Sequence, residues 1–354
     1  AHLVEHLALE GSYDEGGQAL LDDVRRAGAR LNAHTSPGRT QYELDAPAAA
    51  FLPLAERLVK IVTSPAWERA PILAERGVIE TEATYHGSEG LLSLVDRAVF
   101  PAPLQAGPLA GTAESRSALE IEDAARFFAA RYVPSNVTFV FAGAVRMEDA
   151  RGAVERTFRI PPLLPGEAAA VPQEPPSLPG QQKVTGGITA TMLGYLLDPQ
   201  DRAACESVAA LAELRLVMQL QVEGPMLPGV SVTCPVLRGN PFIVAAAYTS
   251  TFDAGDLPAA LEEALAGVGK VPPTAAERAA VDARLDRAQR RMLADPELLA
   301  ERAAALVADR GDTRPLAARL ARAPLPDASA LRRIAGRSFG KSRRILVYVS
   351  PLQQ

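Results

Sequence analysis

Proline divides this chain. Between residues 161 and 180 the backbone carries Pro161, Pro162, Pro165, Pro172, Pro175, Pro176 and Pro179. Proline fixes φ and has no N–H to donate, so such a span builds neither a helix interior nor a central strand. It predicts an extended linker over 161–182 between two domains, 1–160 and 183–354. The chain has 354 residues, 48% of them apolar, enough for each half to bury its own core.

Periodicity gives mixed helix and strand on both sides of the linker. In the first half, Gln18–Ala27 reads as a helix stopped by Gly28. Leu31–His34 and Thr40–Leu44 read as two strands around Ser36-Pro37-Gly38. Helices follow over Pro47–Val62, Ala70–Tyr85 and Ile121–Tyr132, and then a strand over Val137–Phe141. In the second half, Val184–Leu197 is strand-like, Ala203–Val222 helical and Pro241–Tyr248 a strand. Three helices rich in Ala, Arg and Leu come next, and Leu331–Val349 is a helix leading into a strand. Both halves close alike: Ser117-Ala118-Leu119, helix, strand in one, and Ser329-Ala330-Leu331, helix, strand in the other. The implied repeat of about 210 residues makes this an α+β chain of two homologous domains. By the same offset, one or two strands of the first domain are expected ahead of Ala1.

Composition excludes several function classes. With 37 basic against 42 acidic residues and a net charge of −5, the chain is no dedicated nucleic-acid binder, whose surface must neutralise phosphate. No uninterrupted apolar run approaches the ~20 residues that span a bilayer. Cys205 and Cys234 are too few for a disulfide framework or a Cys-rich zinc site, and read as free, buried thiols. Gly267-Val268-Gly269-Lys270 lacks the glycine spacing and the following Ser or Thr of a phosphate loop. The arginines at 287, 290, 291 and in the tail read as solvated helix faces or a partner surface. Heavy use of Ala, Arg, Pro and Leu with few lysines reads as bacterial, of the cytoplasm or the periplasm.

The chemistry lies near the start. His2 and His6 are four residues apart, one turn on a helix, with Glu5 beside them. Two such imidazoles can bind one zinc ion, and the carboxylate can take a proton from water that the ion acidifies. A catalytic zinc needs a third protein ligand. On the 70–85 helix, a 100° step places Glu75 and Glu82 within about 20° of each other, in a stripe with Ile72, Val78 and Ile79. Carboxylates in a core-facing stripe call for a partner, and a metal is one such partner. A structural ion pair with a buried arginine is another for Glu75, and a solvated helix is the bland reading of His2/Glu5/His6. His34 and His86 read as surface or supporting residues.

These residues resemble the pitrilysin/insulinase metallopeptidases, which include the mitochondrial processing peptidases. The likeness runs through Ala-His-Leu-Val-Glu-His at 1–6, Asn32-Ala33-His34-Thr35-Ser36 with Thr40-Gln41-Tyr42, and Glu75-Arg76-Gly77-Val78-Ile79-Glu80-Thr81-Glu82. It continues through Leu109-Ala110-Gly111-Thr112-Ala113-Glu114-Ser115 and Arg131-Tyr132-Val133-Pro134-Ser135-Asn136. The resemblance implies a zinc endopeptidase with His2, His6 and Glu82 as ligands, Glu5 as general base and Glu75 as a supporting catalytic carboxylate. It implies peptide docking along a strand edge at Asn32 and Ala33, and domains built as antiparallel sheets covered by helices, the second domain metal-free.

One stretch departs from the family pattern. Self-sufficient members carry an Arg and a Tyr in the second half, where this chain reads Glu223-Gly224-Pro225-Met226-Leu227-Pro228-Gly229-Val230-Ser231. The resemblance therefore implies the zinc-bearing subunit of a heterodimer with an Arg/Tyr-bearing homologue, a homodimer being the simpler alternative. A noncatalytic peptide-binding scaffold is the competing reading.

Overall fold

A computed structural model describes the chain except for residues 11–16, 37, 64–68, 86–90, 101–109, 159–174, 186–188, 223–228, 250–256, 309–313 and 351–354. The chain forms two compact units. One comprises Ala1–Ser88, Gly107–Pro172 and Asp295–Ala304, the other Glu89–Ala106, Gln173–Ala294 and Ala305–Gln354.

The first unit begins with α1 (His2–Glu10) and α2 (Gly17–Arg26), followed by the hairpin β1 (Arg30–Ser36) and β2 (Arg39–Asp45). Gly28 sits at φ +64° just past α2, the left-handed position that ends a helix most cheaply with glycine. The hairpin is antiparallel, with Leu31 opposite Leu44, Ala33 opposite Tyr42 and Thr35 opposite Thr40. Leu31, Tyr42 and Leu44 pack on a core formed by Leu20 and Val24 of α2 and by Leu54, Leu58, Ile61 and Val62 of α3 (Ala48–Thr63). Helix α4 (Arg69–Tyr85) follows; α5 (Leu91–Val99) belongs to the second unit, although it lies inside the 1–160 stretch. The first unit resumes with α6 (Ala113–Ala118), α7 (Ile121–Arg131) and α8 (Met147–Thr157).

Residues 137–141 differ from expectation: they form no strand. A strand exists only where its N–H and C=O groups find a ladder. Among the described residues of this unit only β1 and β2 supply one, and they pair with each other.

The second unit is built on a six-stranded sheet of β3 (Gly180–Thr185), β4 (Thr189–Leu196), β5 (Gly229–Thr233), β6 (Val236–Leu237), β7 (Asn240–Thr249) and, at the chain end, β8 (Arg344–Ser350). Its order is β3-β8-β4-β7-β5, with β6 on β7; β3 runs parallel to β8 and the other pairs are antiparallel. Most of the 161–182 linker lies outside the described residues, but its last three residues are already the start of β3.

Helices α9 (Cys205–Val217), α10 (Leu257–Val268), α11 (Ala275–Ala294), α12 (Pro296–Ala308), α13 (Leu316–Leu320) and α14 (Ala328–Ser338) complete the chain. Successive strand residues face opposite sides. Leu193, Ile243, Ala245 and Leu346 meet α9, α10 and α14, whereas Met192, Phe242, Val244 and Val347 meet α5. Both faces are covered, so these strands read as unbroken apolar runs. Gly194 lets α5 approach: a Cβ there would lie 2.8 Å from Ile345 and 3.1 Å from Val95.

The cysteines correct the sequence reading. Cys205 and Cys234 form a disulfide, with Cα atoms 6.0 Å apart. Cys205 opens α9 and Cys234 directly follows β5; packing of α9 on β5 brings the two together.

Candidate metal centre

Helix α1 carries two stripes. Leu3, Val4 and Leu7 pack with Ile72 and Ile79 of α4 and Ile121 and Ala124 of α7. The other stripe carries His2, Glu5 and His6, spaced i, i+3 and i+4 so that all three side chains leave from one side. The two imidazoles are largely buried, and their Nε2 atoms lie 3.3 Å apart. Glu82 of α4 brings its Oε2 to 3.5 Å from His2 Nε2 and 3.6 Å from His6 Nε2. Among the described residues no other trio of His, Cys, Asp or Glu converges in this way.

The donor set fits zinc. A tetrahedral ion bound at ~2.0–2.1 Å holds its ligand atoms about 3.3 Å apart, close to the triangle seen here. The supporting contacts also fit. Glu75 Oε2 lies 2.9 Å from His6 Nδ1. A carboxylate only accepts, so Nδ1 carries the proton and Nε2 presents its lone pair to the triangle. Burial, and then the adjoining His6, hold His2 below the usual imidazole value, favouring the neutral ring that binds metal. His2 Nδ1 is buried without a hydrogen-bond partner.

Glu5 sits beside the triangle and is only 6% exposed. Burial raises its pKa, and a hydrogen bond from Thr35 partly offsets the rise. Thr35 Oγ1 donates to Glu5 Oε2 at 2.5 Å. A carboxyl group raised by burial is better matched to exchanging a proton near neutrality than an exposed one.

The expected stripe on α4 is rotated. Ile72, Glu75 and Ile79 are buried, but Val78 is 44% exposed and the Glu82 side chain 38%. The buried face centres on the Ile72/Ile79 side of Glu75, leaving Val78 outside and Glu82 at its margin, where a ligand can reach in from the rim. Glu75 meets His6, which answers the expectation of an arginine partner. His34 is on the hairpin, 3.7 Å from Glu43; His86 lies outside the described residues. Asn32 is exposed and Ala33 half-buried on β1, whose one partner strand among the described residues is β2. Sequence reasoning gave no role to Thr35, Thr40, Tyr42 or Tyr132. Alternation along β1 and β2 was the available signal for Thr35, Thr40 and Tyr42, because it sets these hydroxyls on the core-facing side where each needs a partner; Tyr132 caps the end of α7 and had no such signal.

Residues 1–110 match the model for the insulinase family, peptidase family M16. A probable mitochondrial-processing peptidase subunit beta from Arabidopsis thaliana is 25% identical over 45% of this chain and 30% of its own length. Cytochrome b-c1 complex subunit 1 from Bos taurus is 28% identical over 41% of this chain and 31% of its own. The chain thus aligns with less than a third of the length of these relatives. Among solved structures, a protease from Helicobacter pylori superposes with a TM-score of 0.82 at 18% identity, covering 99% of this chain and 89% of that one. A peptidase M16 inactive domain from Pseudomonas fluorescens gives 0.71 at 17%, covering 99% and 87%. Pitrilysin gives 0.67 at 17%, covering all of this chain and 40% of that one. Residues 1–110 thus carry the signature of the insulinase family, peptidase family M16, and the whole chain takes the fold of the solved Helicobacter pylori protease and of the Pseudomonas fluorescens M16 inactive domain.

Proposed function

We propose that the chain is the zinc-bearing subunit of a metalloendopeptidase that hydrolyses peptides or unfolded segments. The observation that carries this reading is the convergence of His2 Nε2, His6 Nε2 and Glu82 Oε2 on one point beside the buried carboxylate of Glu5. His2, His6 and Glu82 would hold the ion. When bound, zinc supplies Lewis acidity that polarises a carbonyl and lets a water give up its proton near pH 7.

The chain's own residues do the rest. Glu5 accepts the proton and returns it to the departing amine as the peptide bond breaks. Glu75 keeps the His6 ring oriented and its proton on Nδ1. The β1 edge at Asn32 and Ala33 offers main-chain groups to an extended peptide, a mode that needs little sequence in the substrate. On this reading the catalytic groups belong to residues 1–160, and residues 183–354 are metal-free.

The 223–231 stretch, with neither Arg nor Tyr, favours a heterodimer in which a homologous partner supplies both. The same stretch is the specific observation behind a second reading, a noncatalytic scaffold that binds peptides without cutting them; one structural relative is described as an inactive domain. Zinc analysis of the purified full chain comes first, with about one ion per chain expected. Peptidase activity is then assayed alone and mixed with an Arg/Tyr-bearing homologue. Turnover in the mixture that Glu5→Gln abolishes supports the enzyme; zinc bound with no turnover in either setting moves the scaffold ahead.

A further inference from the structure

Glu5 is held by a strand that is far from it in sequence. We propose that Thr35 is a positioning residue for the Glu5 carboxylate, backed by a one-way chain of hydroxyls from Thr40, Tyr132 and Tyr42. The proposal rests on Glu5 acting as the general base, and it deepens that reading.

The chain follows from four contacts. Thr35 Oγ1 lies 2.5 Å from Glu5 Oε2 and 3.1 Å from Thr40 Oγ1, its cross-strand partner in the hairpin register. Thr40 in turn interacts with the Tyr132 phenol, and Tyr132 Oη lies 2.8 Å from Tyr42 Oη. These groups come from α1, β1, β2 and the end of α7, so no short-range pattern assembles them.

Proton counting gives the chain its direction. An ionised carboxylate only accepts, and each hydroxyl has one proton to give. Thr35 therefore donates to Glu5, which frees its lone pairs to accept from Thr40. Thr40 then accepts from Tyr132, and Tyr132 from Tyr42. This is the arrangement in which Thr35, Thr40 and Tyr132 each give one bond and accept one. Burial keeps both tyrosines protonated, with pKa values above the ordinary phenol range, so the donors are always in place.

Two consequences follow for the base. Glu5 Oε2 is committed to Thr35, so Oε1 is the oxygen left to take a proton from water. The carboxylate plane is also set by β1, three residues along from Asn32. Seating a peptide on that edge and aiming the base are thus functions of one strand.

The test uses the full chain, zinc-loaded and metal-free. Thr35→Val replaces the hydroxyl by a methyl at nearly constant shape; Thr35→Ser keeps the hydroxyl. In the peptidase assay that shows turnover, Thr35→Val is expected to lower kcat roughly 10- to 100-fold, with KM and zinc content unchanged, and Thr35→Ser to restore most of it. Equal losses in Val and Ser, loss of zinc in Val, or undiminished kcat in Val would each overturn the proposal.

A second arm needs no turnover. In the metal-free chain, thermal unfolding is compared for wild type, Thr35→Val, Glu5→Leu and the double variant. Thr35→Val should lower Tm in the Glu5 background and leave it nearly unchanged once Glu5 is Leu. Additive shifts show that Thr35 does not hold Glu5, even in a chain that proves to be a scaffold. Coupled shifts with zinc bound and no turnover keep the contact and remove the enzyme reading instead.

Discussion

The two units treat buried carboxylates in opposite ways. In the second unit each meets an arginine. Asp96 is bound by Arg238 at 2.8 Å and 3.1 Å, with that guanidinium also stacked 4.6 Å above Phe100. Asp201 takes both its bonds from Arg337 at 2.8 Å, and partly buried Glu277 takes two from Arg215. In the first unit, buried Glu5 meets the Thr35 hydroxyl and buried Glu75 meets the His6 imidazole. A guanidinium neutralises a carboxylate permanently, since it does not lose its proton in the working range. Hydroxyls and imidazoles leave the charge able to change, at a cost in stability. The first pattern makes a scaffold; the second leaves groups able to bind metal and exchange protons.

That contrast can be broken from either side. The largest effects belong to the first unit. Glu82→Gln should remove zinc altogether, and elemental analysis should fall from about one ion per chain to near none. Glu5→Gln should leave zinc in place and reduce turnover about 10²- to 10⁴-fold; a Gln variant that still cuts would return Glu5 to a structural role. Glu75→Gln should retain the fold and weaken zinc affinity about 10- to 100-fold, as loss of a group orienting a ligand does, which competition with a chelator would measure.

In the second unit the expected losses are of stability alone. Arg238→Met leaves the buried Asp96 carboxylate without its partner and should cost about 3 kcal/mol in denaturant unfolding, with zinc content unchanged. Asp96 already has a raised pKa, chiefly from burial, with Arg238 offsetting it. A zinc loss here would blur the division between the units.

Acid gives a smaller effect with a definite sign. Hydrogen bonds from Arg215 hold Glu277 down at about 2. A depressed carboxylate contributes stability that is fully present above its ordinary value near 4.5 and is lost as pH falls through about 2. Solvent screening at this partly exposed pair limits the contribution to about 1 kcal/mol. Unfolding followed between pH 5 and 2 should therefore fall less steeply for Glu277→Gln than for wild type. The smallest effect is expected at the strand edge: Asn32→Ala should raise KM a few-fold and leave kcat alone, because main-chain pairing supplies most of the contact.

How far the sequence reached depends on whether the physics is local. The i, i+4 spacing of His2 and His6 lies within one helical turn, so their common side was fixed as soon as α1 formed. The α2 helix ended by Gly28 and the hairpin around 37 and 38 were legible for the same reason. Glu75 and Glu82 were found by helical arithmetic, yet the arithmetic placed the stripe symmetrically about them, and Val78 is exposed. Which side of a helix faces the core is settled by what packs on it, here Leu3, Val4 and Leu7 of α1.

The remaining differences have the same origin. Residues 137–141 have strand composition, but a strand needs a neighbour's hydrogen bonds. Cys205 and Cys234 are 29 residues apart, and only the packing of α9 on β5 makes them partners. The sequence by itself determined the helices over 18–27, 47–62, 70–85 and 121–132, the hairpin and the spacing of His2, Glu5 and His6, because these rest on contacts within a turn or between adjacent strands; the short helices α5, α6 and α8 were not read from it. Tertiary structure alone decided that Glu82 closes the triangle, that Glu75 holds His6 and that Thr35 holds Glu5. Those contacts join residues 30 to 80 positions apart, and no local rule of the backbone measures such distances.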